Sequence, residues 1–134
     1  MHNTVKNLIY IEDLIKSKVN HDKLPIIIAV SKTFSIEHIL PLIEHGHLHY
    51  GENKVQEALE KWNEIKSQNS NIKLHLIGKL QTNKVKFALK IFDYIHSLDS
   101  EKLAIKIAEE QTKQEKKPKI FLQVNIGNED QKSG

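Results

Sequence analysis

The residue best placed for chemistry is Lys32, which closes the run IIIAVSK at 26–32. A lysine set flush against a buried apolar strand is costly to desolvate. Such lysines have a lowered pKa and act as imine-forming nucleophiles. Polar residues follow apolar stretches again at Glu52 and Asn53, at Gln81 and Asn83, at Ser97 and Asp99, and at Asn125. Groupings repeated in this way are what a ring of loops around a small polar ligand would carry, although helix capping and ordinary loop polarity account for any one of them alone.

Other chemistries find less support. His45, His47 and His49 form an H-x-H-x-H string of the kind that binds metal. However, Gly46 should break a helix between the first two, and His47 and His49 would share one strand face. No carboxylate stands at matching spacing, so a metal site is not expected. Neither G-x-G-x-x-G nor G-x-x-x-x-G-K occurs, which argues against a dinucleotide or ATP protein. No serine, histidine and acid set has motif support. Cysteine is absent, which excludes disulfides, thiolate catalysis and zinc–thiolate sites.

The elements that must position these residues alternate between two periodicities. Val5, Leu8, Ile11 and Ile15 keep helical spacing over 5–17. Pro25 then introduces IIIAV, a β-branched run without polar alternation, as expected of a strand covered on both faces. Ser35 is a candidate N-cap for the stripe Ile36, Ile39, Leu40 and Ile43, which ends at Gly46. Pro41 either kinks that helix or lies in the first turn of one beginning near Leu40. Strands are expected at 47–50, 74–78, 94–98 and 120–126. Between them lie helical faces led by Val55, Ala58, Leu59 and Trp62, by Val85, Ala88, Leu89 and Phe92, and by Leu103, Ala104, Ile107 and Ala108. Asp99 or Ser100 caps the last of these helices.

Such a β/α series with short connections makes a parallel sheet. Two closures fit the pattern: an open, flavodoxin-like doubly wound sheet, or part of a (β/α)₈ barrel. A complete barrel takes about 250 residues, and the chain has 134. In either closure ligands gather at the carboxyl ends of the strands, where the polar groups above fall.

The bulk composition agrees with a single folded domain. Hydrophobic residues make up 39% of the chain, too many for global disorder. The net charge of +3 is small and its lysines are scattered, so nucleic acid is not an expected partner. The densest cluster, Lys113, Lys116, Lys117 and Lys119, reads as a solvated helix end. The longest apolar run, 24–30, is far shorter than the roughly 20 residues a bilayer needs, so a membrane is not expected either. No signal peptide is visible, and a soluble cytoplasmic protein is the expectation.

Five stretches occur in order: AVSKT at 29–33, HYGENKVQEALEKW at 49–62, LHLIGKLQTNKVK at 74–86, IHSLDS at 95–100 and QVNIGNEDQKSG at 123–134. Together they closely resemble the pyridoxal phosphate homeostasis proteins, the YggS/PROSC-like family. The resemblance implies an α/β fold, a partial (β/α)₈ TIM barrel of the fold-type III pyridoxal 5'-phosphate (PLP) class. It is like the N-terminal domain of alanine racemase, with an N-terminal helix and about five βα units in one domain over 1–134.

On this resemblance Lys32 is the PLP lysine. Asn53, His75, Gly78, Gln81, Asn83, Ser97 and Asn125 match positions lining or shaping the cofactor side. Lys132 and Gly134 match the family's K-S-G loop. The implied function is a PLP binder in cofactor homeostasis, holding PLP as an imine on Lys32 without turnover. A PLP-dependent amino acid racemase and an inactive truncated fragment are the alternatives. A racemase would need a second acid/base group opposite the lysine, which in this fold comes from another domain. Family members continue past the fifth strand into the segments that grip the cofactor phosphate. The chain therefore reads as truncated there, keeping the covalent anchor and lacking the anion site. Expected partners are PLP, apo-enzymes that receive it, and a second chain completing the barrel.

Overall fold

The structure, a computed structural model, describes residues 1–124 and 126. Helix α1 (Asn3–Lys16) is followed by strand β1 (Ala29–Val30), α2 (Ile36–His45), β2 (His49–Glu52), α3 (Val55–Gln68) and β3 (Lys73–Leu76). The order continues with α4 (Val85–Ile91), β4 (Tyr94–Leu98), α5 (Glu101–Gln114) and β5 (Lys119–Leu122). No helix of the described residues is long and apolar enough to cross a membrane.

All strands are parallel, and their spatial order is their chain order, β1-β2-β3-β4-β5. That order decides between the two closures. A flavodoxin-like sheet runs 2-1-3-4-5, because its chain reverses direction at a switch point. Strands added one after another in a single direction are the arrangement of a (β/α)₈ barrel.

Strand alternation divides the side chains. Tyr50, Glu52, Leu74, Leu76 and Ile95 are fully buried. They lie on the helix side of the sheet, where the Tyr50 and Trp62 rings approach to 4.7 Å. Val30, His49, Gly51, His75, Tyr94 and His96 occupy the other face. The sequence-derived helix faces hold in their centres, with Val55, Ala58 and Trp62 of α3, Val85, Ala88 and Leu89 of α4, and Leu103 and Ile107 of α5 buried. At their margins, Ile11 of α1, Leu40 of α2 and Ala108 of α5 are exposed.

The expected double coverage of IIIAV is not found. Pairing is confined to Ala29 and Val30, and Ile26 and Val30 are 63% and 53% exposed. The reason is position: β1 is an edge strand that pairs only with β2 among the described residues. Nothing described covers the Val30 side. The third and fifth strands are also shorter than expected, ending at Leu76 and Leu122.

Helix boundaries follow local chemistry. Ser35 is the N-cap of α2, but its hydroxyl pairs with His38 Nδ1 at 2.9 Å rather than with the backbone. Pro41 lies well inside α2, which begins five residues earlier at Ile36, so the later start is not observed. Gly46 ends this helix at φ 100°, a left-handed conformation that glycine takes without a Cβ penalty. Of the two candidate caps for α5, Ser100 is used, its Oγ accepting from Leu103 N at 3.2 Å.

Candidate functional site at the strand ends

Lys32, Asn53, Gly78 and Asp99 follow β1, β2, β3 and β4, so parallel pairing brings their loops to one edge of the sheet. Gly78 fits closely against its neighbour there. A Cβ at this position would stand 2.5 Å from the Asn53 carbonyl oxygen and 2.7 Å from the Asn53 Cβ. A glycine is therefore required for the loops after β2 and β3 to meet. Asn53 Oδ1 is buried beside this contact with no hydrogen-bond partner among the described residues.

Lys32 is exposed, so the desolvation expected of it is not present. The cause is again the edge position of β1. What is buried is its neighbour Ser31, whose N–H donates to the Gly51 carbonyl at 2.9 Å and whose hydroxyl donates to Glu52 Oε2 at 2.5 Å. Thr33, on the other side, has φ 67°, a left-handed conformation rare for a β-branched residue. Its N–H donates to Glu57 Oε1 at 2.7 Å.

Behind this loop stands a charged network that sequence reasoning did not find. Glu52 is fully buried and turned toward α3, not toward the strand-end loops. It accepts from Ser31 Oγ, from Lys61 Nζ at 3.0 and 3.2 Å, and from Trp62 Nε1 at 3.1 Å. Lys61 Nζ also donates to the Ser31 carbonyl at 2.8 Å and to Glu57 Oε1 at 3.3 Å. Partial burial alone would raise the Glu57 carboxyl, but the Thr33 N–H and then Lys61 outweigh it and hold the group below the usual carboxylate range. The i,i+4 spacing of Glu57 and Lys61 was the available signal.

The remaining expected site residues are placed differently. Gln81 and Asn83 are exposed, and Asn83 lines a shallow cavity of 330 Å³ with Lys102, Ile105, Lys106 and Glu109 of α5. Ser97 is 2% exposed, on the helix side of β4, with its Oγ unpartnered among the described residues. Asn125, Lys132 and Gly134 lie outside the described residues.

His75 stands inside β3, below the strand ends, at the centre of a row of imidazoles. Its Nε2 pairs with His49 Nδ1 and its Nδ1 with His96 Nε2, each at 2.9 Å. The ring stacks on Tyr94 at 4.1 Å, and His96 stacks on Phe121 at 4.4 Å. A neutral imidazole has one donor and one acceptor, so His75 donates to one neighbour and accepts from the other. His47 does not join this row: its ring meets Tyr50 edge-on at 5.3 Å, on the opposite side of β2 from His49. The shared face expected for these two histidines is absent because β2 begins only at His49.

Burial, reinforced by the charges His96 and His49 would carry, pushes the His75 pKa down to about 4. Burial also lowers His49 and His96. His75 is therefore neutral in the fold down to about pH 4, whereas in an unfolded chain it takes up a proton near the ordinary 6.5. Between these values the unfolded state binds more protons, so stability falls as pH falls through that window, by about 3 kcal/mol at most for this group. Urea unfolding followed at successive pH values should show that loss, and His75→Gln should remove a large part of it. An identical pH profile in the variant would mean that His75 is not held neutral.

No family model matches the chain. Curated relatives do. The chain is 36% identical over 133 residues to a pyridoxal phosphate homeostasis protein of Pasteurella multocida, covering 96% of the chain and 57% of that protein. It is 38% identical over 108 residues to the protein of that name from Haemophilus influenzae, covering 81% and 46%. Among solved structures, PipY of Synechococcus elongatus without PLP matches at TM-score 0.79 and 35% identity, over 91% of the chain and 55% of PipY. PipY with PLP bound matches at TM-score 0.71 and 38% identity, over 78% and 50%. The chain spans about half the length of the curated relatives it matches. Strand order, the Lys32 loop and these similarities converge: over the length it spans, the chain is similar to the pyridoxal phosphate homeostasis proteins.

Proposed function

We propose that the protein binds PLP in cofactor homeostasis, held covalently by Lys32 and released without turnover. The observation that carries this reading is the placement of Lys32. It is a freely accessible amine on a loop anchored through Ser31 and Thr33, at the ligand-bearing edge of a sheet that matches PLP-bound PipY. Bound PLP supplies an aldehyde, which condenses with a primary amine, with loss of water, to a reversible C=N link. The protein's own residues would orient it: Lys32 would hold the aldehyde carbon, and Asn53 Oδ1, buried without a partner among the described residues, would accept a hydrogen bond. His75 would shape the site from beneath, Ser97 would support it from the helix side of β4, and Gln81, Asn83 and Asn125 would border it.

The phosphate needs a separate home. All 20 basic residues of the chain are lysines, so no guanidinium fork is available to it. In barrels of this kind phosphate is commonly held after strands seven and eight. We place that grip in polypeptide corresponding to the unmatched half of the relatives, in a longer chain or in a second one. Delivery of PLP to apo-enzymes and a cytoplasmic location belong to the same reading.

Absorbance tests it. PLP added to the protein should give a yellow band that borohydride fixes, and peptide mapping should place the reduced adduct on Lys32. Mapping matters because surface lysines also condense with PLP. In Lys32→Ala the mapped adduct should vanish, and a residual pattern equal to that of the parent would end the cofactor reading in favour of an inactive fragment. Racemisation of an amino acid by the PLP-loaded protein would favour the enzyme instead. Adding a polypeptide with the remaining strands should tighten PLP binding.

A further inference from the structure

We propose that Glu57, backed by Lys61 and Glu52, is a positioning residue that fixes the direction from which the Lys32 amine meets its aldehyde ligand. This rests on the reading of Lys32 as the PLP lysine and extends it to residues that reading does not include.

Both peptide neighbours of Lys32 are captured by the same three charges. Ser31 is held at all its polar atoms: its N–H on the Gly51 carbonyl, its hydroxyl on Glu52, and its carbonyl on Lys61 Nζ at 2.8 Å. Thr33 is held by its N–H on Glu57 Oε1 at 2.7 Å. Lys61 joins the two carboxylates, reaching Glu52 at 3.0 Å and Glu57 at 3.3 Å. The captured conformation is one the chain does not adopt unaided. Thr33 sits at φ 67°, where a β-branched residue is strained, so some interaction has to hold it there. The Glu57 carboxylate is the acceptor that the structure supplies. Releasing it lets residues 32–34 relax to ordinary backbone angles, and the Lys32 side chain then leaves from a different direction. An exposed lysine has many rotamers, so a fixed Cα–Cβ vector is the main means of presenting its amine.

Glu57 is at the surface end of the network, its side chain 29% exposed, so it can be changed without opening the core. Three variants separate the possibilities. In Glu57→Ala the association constant for PLP, read from the yellow band and from the borohydride-trapped Lys32 adduct, should drop about tenfold, the effect of losing a hydrogen bond to a charged group. Amide exchange at Thr33 should speed up by a similar factor. Glu57→Gln keeps an oxygen for the Thr33 N–H and should stay within about threefold of the parent in both readouts. Thr33→Gly added to Glu57→Ala should recover part of the lost binding, because glycine takes positive φ without strain.

Parent-like PLP binding in Glu57→Ala, with its melting temperature unchanged, overturns the proposal. So does a Glu57→Gln variant as weak as the alanine one, since charge rather than capture would then be at work. Failure of the cofactor reading looks different: the parent itself gives no trapped adduct at Lys32, or Lys32→Ala gives the parent's pattern. Either result removes the positioning role along with its ligand, whatever Thr33 exchange shows.

Discussion

Replacing Lys61 by methionine should cost about 3–5 kcal/mol of folding stability, the range for breaking a buried ion pair by removing one partner. The Lys61 and Glu52 side chains are 8% and 0% exposed, so neither charge can turn to water when the other is lost. Methionine fills much of the same volume, and the expected loss is therefore electrostatic rather than a cavity effect. Glu52 would retain Ser31 Oγ and Trp62 Nε1 as donors, too little for a desolvated carboxylate. The double variant Lys61→Met/Glu52→Leu should win back only part of the loss, since the apolar pair removes the buried charge but leaves Ser31 Oγ and Trp62 Nε1 without their acceptor. Urea melts of the single and double variants measure both steps. A Lys61→Met protein within 1 kcal/mol of the parent, on the scale of an exposed pair, would show that water reaches Glu52.

Trp62→Ala should be of similar size, about 3–5 kcal/mol. Trp62 is fully buried, packs against Tyr50 with ring centroids 4.7 Å apart, and donates its indole N–H to Glu52 at 3.1 Å. Truncation thus opens a cavity between α3 and β2 and removes a donor from the buried carboxylate. Trp62→Phe separates the two effects. It keeps most of the packing and loses the donor, and should cost about 1–3 kcal/mol. Circular dichroism is the suitable probe, since Trp62 is the chain's sole tryptophan. Equal losses in the two variants would assign the whole effect to the hydrogen bond.

Periodic features were legible in the sequence. Helical stripes and intervening apolar runs located the strands and α-helices of the described residues, because burial on one face imposes a period that composition alone cannot hide. The choice between barrel and open sheet was not legible from periodicity, since both need the same βα units. Spatial order decides it, and the family resemblance had already implied the barrel. The reading of IIIAV went wrong for a related reason. Apolar character records what a residue can tolerate, while coverage depends on neighbours, and β1 has only β2. Site residues were legible as positions rather than directions. Glu52, Asn53 and Ser97 all follow or end strands, yet Glu52 and Ser97 point toward the helices while Asn53 meets the Gly78 loop. The Glu52–Lys61–Trp62 network stayed hidden because it joins a strand to a helix across a loop, a proximity that only tertiary packing creates.

The succession of strands in chain order has a consequence for how the molecule is made. Each strand pairs with the one synthesised just before it, so every new βα unit emerging from the ribosome finds its template already formed. Among the described residues each strand therefore waits only for its immediate predecessor in the chain, although every such parallel pairing must still close a βα loop. The loop carrying Lys32 is set early in this accretion. Among the described residues its hydrogen bonds reach no further along the chain than Lys61, so these can close once α3 has left the exit tunnel, before β3, β4 and β5 exist.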